Sequence, residues 1–132
     1  MASRREFLQA GIAACMLPIA GTAGTPSLRL YKVIFDQRFP SSREFAEEAR
    51  SLGLSLHAIE GDITDLWFHD LSLRWKQEPA AIAGLTAHGP LFCLERLAWD
   101  HGMRVVHRAS HVASVDGEPL FSWVIAAKKE RP

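Results

Sequence analysis

Leu28-Arg29-Leu30-Tyr31-Lys32-Val33-Ile34-Phe35, then Asp36-Gln37-Arg38-Phe39-Pro40, then Ser41-Ser42-Arg43-Glu44-Phe45 on to Gly53, then Leu54-Ser55-Leu56-His57-Ala58-Ile59: this stretch decides the fold. The first piece alternates and then turns apolar, which predicts a strand. Ser41 and Glu44 stand at capping-box spacing. Phe45, Ala49 and Leu52 then share one helical face, and Gly53 stops the helix. Leu54–Ile59 predicts a second strand, ended by Gly61-Asp62. A strand, a helix and a strand in so short a space form a parallel crossover unit.

The same grammar continues downstream. Asp62-Ile63-Thr64-Asp65 reads as a second cap, and Ile63, Leu66, Trp67 and Leu71 follow at helical spacing. That helix is expected to run to about Leu71, because Ser72–Gln77 is weakly periodic and Pro79 forbids continuation. Ala80–Thr86 predicts a buried third strand. Pro90 suits a first helical position and Gly102 a C-terminal cap, with Leu91, Leu94, Leu97 and Ala98 as the core stripe between them. Met103–Val112 and Leu120–Ala127 predict a last pair of strands around a turn at Asp116-Gly117, with Val105, Val106, Val124 and Ile125 buried. Lys128–Pro132 reads as a polar tail. The expected fold is α/β: a compact three-layer sandwich on a mostly parallel five-stranded sheet. Its expected strand order is flavodoxin-like, 2-1-3-4-5, with a C-terminal antiparallel hairpin.

Working outward to the N-terminus, Met1-Ala2-Ser3-Arg4-Arg5-Glu6-Phe7-Leu8 precedes an uncharged, moderately apolar run from Ala10 to Ala20 and the small residues Gly21–Thr25. This start resembles a twin-arginine export signal. The apolar run falls short of the about 20 residues a membrane span needs. Ile12-Ala13-Ala14-Cys15 also fits a lipoprotein box, which would leave a lipid anchor on Cys15. The apolar stretch continuing to Ala20 favours cleavage after Ala23 instead. The expected organisation is a signal over residues 1–23 and one domain over 24–132, exported to the periplasm by the twin-arginine machinery. The resemblance implies a cargo folded before export, and it covers the signal only.

The 132-residue chain carries 15 basic and 15 acidic residues, so no basic excess points to nucleic acid. Of the two cysteines, Cys15 lies in the signal, which leaves Cys93 alone; a buried structural thiol is its expected role. Trp67 and Trp123 are expected in the core, Trp75 and Trp99 partly exposed.

In a sheet of this kind ligands bind outside the carboxyl ends of the strands. Three connections leave that edge, and they supply the candidate ligand-binding residues Asp36, Arg38, Asp62, Thr64, Thr86 and His88. Asp62 also reads as a plain helix cap, and Arg38 and His88 as loop residues. Arg38 and the helix starting near Pro90 favour a small anionic ligand. Gly84–Pro90 matches neither the Walker loop nor the dinucleotide fingerprint, so no cofactor is expected. His107 and His111 lie about 13 Å apart on a straight strand, too far for one ion. Asp65 and His69 supply only two ligands at helical spacing, and no metal is expected. The chain therefore reads as a periplasmic small-ligand-binding or accessory domain, in the latter case the partner of a larger exported redox enzyme subunit. The alternative is a small hydrolase-like enzyme using Asp36, His88 and Cys93 or Thr86.

Overall fold

The computed structural model describes residues 29–111 and 119–127. The expected signal over residues 1–23, Cys15, the expected Asp116-Gly117 turn, Val112 and the tail from Lys128 lie outside the described residues. The elements are β1 (Leu30–Asp36), α1 (Pro40–Ser51), β2 (Leu56–Ile59), α2 (Thr64–Leu66), a π-helical stretch (Trp67–Leu71), α3 (Ser72–Gln77), β3 (Ala81–Thr86), α4 (His88–Trp99), β4 (Met103–His111) and β5 (Leu120–Ala127). The run from Thr64 to Gln77 is continuous, so three helical segments flank one five-stranded sheet.

The fold is α/β, but the sheet is mixed rather than mostly parallel. β1 pairs in parallel with β2 and β3, whereas β3–β5 and β5–β4 are antiparallel. The order is β2-β1-β3-β5-β4, so the last two strands exchange the places expected of them. Composition explains the exchange. β5 reads Leu-Phe-Ser-Trp-Val-Ile-Ala-Ala and is buried along nearly its whole length. β4 alternates, with Arg104, Val106, Arg108 and Ser110 exposed. A strand apolar on both faces belongs inside a sheet, and one with charges on alternate residues belongs at its edge.

Alternate strand residues face opposite layers. Val33 and Leu85 pack with Phe45 and Ala49 of α1 on one face. Ile34, Ile82, Trp123 and Ile125 pack on the other, against Leu66, Leu71 and Trp75 of the long helical segment and Leu91, Leu94 and Ala98 of α4. Trp123 lies flat enough over Gly84 that a Cβ there would stand 2.5 Å from the indole.

Several local expectations change. α1 begins at Pro40 with Phe39 as its N-cap and no side-chain cap, so the Ser41/Glu44 box does not form. Pro40, already fixed in φ, starts the helix earlier. Ser42 instead donates to the Leu85 carbonyl at 2.9 Å and ties α1 to β3. The helix expected to end near Leu71 continues to Gln77. Its buried residues Leu66 and Leu71 are five apart, and the π-helical turn inserts the residue that breaks the 3.6 period. Val106 is 56% exposed rather than buried, because it falls on the outward-facing parity of β4 together with Arg104, Arg108 and Ser110. Trp75 is buried, donating its Nε1 to the Ala80 carbonyl at 3.0 Å, while Trp67 is only half-buried. Cys93 is exposed, not buried, since it follows the outward-facing Phe92 rather than joining the Leu91/Leu94/Ala98 stripe.

Candidate functional site

The candidate residues all stand at the carboxyl edge of β1, β2 and β3, but they enter different environments. Asp36 ends β1 and is fully buried. Arg38 closes over it, donating from Nε and Nη2 to the two carboxylate oxygens at 2.9 and 2.7 Å. The Arg38 backbone N–H adds a third bond to the same group. A bidentate guanidinium is the strongest partner available to a buried carboxylate. The guanidinium also lies against Gly61, whose φ of 80° and lack of a side chain leave it room.

Thr86 ends β3 and is equally buried. Its hydroxyl accepts from Trp123 Nε1 at 3.0 Å and donates to the Ala87 carbonyl at 2.9 Å. His88 is exposed; its ring stacks on Phe92 at 6.0 Å between centroids and meets Phe121 edge-on at 5.8 Å. Asp62 is exposed and accepts from both the backbone N–H and the hydroxyl of Thr64, at 2.9 and 2.5 Å. Those bonds hold its pKa below the usual carboxylate range.

Of this set Asp62 lines a cleft. The cleft, about 590 Å³, is bounded by Gln37, His57, Glu60, Asp62, Asp65 and Leu66, with Ala58 and Ile59 completing it. It opens where β1 and β2 end and the long helical segment begins. Gln37 donates to Glu60 at 2.8 Å and ties the two strand-end loops together. His57 stands on β2 opposite Ile34 of β1. Burial, reinforced by the Lys32 charge, holds its pKa below the ordinary histidine value, against the opposing pull of Asp70 and Asp65. A neutral imidazole offers one donor and one acceptor to the cleft.

Beneath His57 lies a polar network that sequence reasoning missed. Lys32 of β1 pairs with Asp70 of the π-helical stretch, and the Tyr31 hydroxyl donates to the other Asp70 oxygen at 2.5 Å. Burial pushes the Asp70 pKa up, but these two bonds outweigh it and the net shift is downward. The Tyr31 pKa rises, first because its proton is held by Asp70 and then through burial. The Arg74 guanidinium covers the Tyr31 ring at 5.3 Å. The available signal was Lys32, a charge inside an otherwise apolar strand, which demands a partner when its strand is covered.

The cleft combines acceptor-only carboxylates, an amide and a neutral imidazole over an apolar base. Such a lining suits recognition of a small polar molecule rich in donors. Among the described residues no group of three metal-ligating side chains is placed to hold an ion. No helix among them is long and apolar enough to cross a membrane. No protein-family model matches the chain, and no curated protein matches it.

Proposed function

We propose that the domain is a small-ligand-binding protein, carried to the periplasm by the twin-arginine machinery, and that its ligand occupies the cleft at the carboxyl end of β2. The observation that carries this reading is the lining of that cleft: Gln37, His57, Glu60, Asp62 and Asp65 converge over Leu66 in a volume typical of ligand pockets. The residues around it are built for binding rather than turnover. Asp36 is held by Arg38 and Thr86 by Trp123, so neither is poised to activate a nucleophile.

The charge of the lining sets the ligand class. Arg38, the cation that favoured an anion, already serves Asp36. Glu60, Asp62 and Asp65 repel an anion and accept from ammonium or guanidinium groups. A small cationic amine is therefore the proposed ligand.

The test is a two-dimensional NMR titration of residues 24–132 with spermidine and with L-arginine. Saturable shifts at the amides of Gln37, His57 and Asp65 are expected, with Asp65→Asn weakening the response several-fold and leaving the melting temperature unchanged. Asp65 is exposed, so its replacement carries no core cost. Absence of saturable shifts with either probe, or shifts indifferent to Asp65→Asn, would overturn the reading.

A further inference from the structure

Helix α4 packs through Leu91, Leu94 and Ala98, which are fully buried. At about 100° per residue, Phe92, Glu95, Arg96 and Trp99 fall within one arc of roughly 100° that flanks this buried stripe, with Glu95 at its half-buried margin. Phe92 is 50% and Trp99 47% exposed, and both are large apolar groups. The Arg96 guanidinium lies 4.8 Å from the Trp99 ring centroid. At the other end His88 stacks on Phe92. Ordered, solvent-facing aromatics beside an arginine have the composition of an interface centre.

The order of these residues carries further information. Read forwards, the face runs aromatic, two residues, acid, base, two residues, aromatic: Phe92, Glu95, Arg96, Trp99. Read backwards, it gives an aromatic at each end again, with the base before the acid. Two antiparallel helices related by a two-fold axis between positions 95 and 96 would set Phe92 of each copy against Trp99 of the other. The same axis sets Glu95 of each copy against Arg96 of the other. A self-complementary patch is what a two-fold interface requires. Parallel pairing would instead set like charge against like charge, which is disfavoured.

We propose that α4 is a homodimer face and that its occupant is a second copy of this chain, docked antiparallel through Phe92, Glu95, Arg96 and Trp99. Within the chain, Arg108 of β4 already donates to Glu95 at 3.1 Å. A carboxylate has acceptor sites left for a second guanidinium. A helix of 12 residues spans only about 18 Å. One helix pair buries less than the about 1,000 Å² of a stable interface, so the association is concentration-dependent.

Sedimentation velocity of the mature chain over a concentration series tests this. The parent chain is expected to shift from monomer to dimer with rising concentration, and Phe92→Ala with Trp99→Ala to remain monomeric. Glu95→Arg alone and Arg96→Glu alone each place like charges together and should weaken association on the order of tenfold. The double variant E95R/R96E restores the complementarity with its signs exchanged and should return association to within a few-fold of the parent. Arg108→Ala serves as the control for the bond within the chain and should leave the dimer in place. Phe92, Arg96, Trp99 and Arg108 are exposed and Glu95 half-buried, and circular dichroism melts establish that each variant folds. A parent chain monomeric at every concentration overturns the proposal. So does a double swap as weak as the single reversals, or capture of a larger exported subunit that the Phe92/Trp99 variant alone loses.

Discussion

Gly84 is where two demands on a single position meet. It lies in the middle of β3, paired with Ile34 on one side and Trp123 on the other. A Cβ at Gly84 would stand 2.5 Å from Trp123 Cζ2 and 2.6 Å from the Ile34 carbonyl oxygen. The indole has little room to retreat, because its Nε1 is bonded to the buried Thr86 hydroxyl. The carbonyl belongs to a strand and cannot move without breaking pairing. Gly84→Ala is therefore expected to cost about 1–3 kcal/mol by overpacking. A urea melt should show a lower midpoint with an unchanged slope. Adding Trp123→Leu to it should recover only part of the loss, since the Ile34 carbonyl still opposes the methyl. A fully stable Gly84→Ala would mean that the strand and the indole adjust more freely than their contacts imply. In the sequence this glycine is one small residue among alanines, and the pressure on it comes from Trp123, 39 positions away in the chain, and from the Ile34 carbonyl of the neighbouring strand.

At the scale of elements, legibility follows periodicity. β1, α1 and β2 announce themselves because their apolar residues repeat at 2 or 3.6, and β3 and β5 because they are short, nearly continuous apolar runs. The segment from Thr64 to Gln77 reads only in part: Ile63, Leu66, Trp67 and Leu71 mark its first half, while the weakly periodic Ser72–Gln77 hides its continuation and the π-helical turn within it. Asp70, which meets Tyr31 and Lys32, lies in that π-helical stretch, so the irregularity and the polar network were missed together. The candidate edge of the sheet was legible from β–α alternation. The cleft was not, because His57 reads as one polar residue of a short strand until the Lys32–Asp70 pair beneath it is known. The β4/β5 pair carries a pH dependence of its own. His111 of β4 shares a 2.8 Å hydrogen bond with Ser122 of β5, and burial, with repulsion from His107, pulls its pKa down to about 4. Its folded-state value lies below the roughly 6.5 of an unfolded chain. Between those values the unfolded chain takes up a proton that the folded one refuses. Stability is therefore retained above about pH 6.5 and lost as the pH falls toward 4. His57 acts in the same direction. Melting temperatures recorded from pH 7 to pH 4 should decline less steeply for His111→Gln than for the parent. Parallel profiles would place the acid sensitivity elsewhere.

For the whole molecule, the twin-arginine reading makes a statement about export that no part of the domain can test. Replacing Arg4 and Arg5 with lysine should retain the chain in the cytoplasm while leaving the isolated domain's melting temperature unchanged; unaltered export would refute the assignment. The domain's topology bears on the same route through time rather than space. β5 is the last strand described, yet it fills the gap between β3 and β4, which do not touch each other in the sheet. Until β5 is in place, β4 has no partner and β3 shows a bare edge. A ribosome releases the chain from its N-terminus, so every earlier stretch, including all three helical segments, emerges before the sheet can close. A chain released only as far as β4 thus leaves that strand unpaired, and the five-stranded sheet closes when β5 inserts. An export system that accepts only finished cargo would read that insertion as the completion signal.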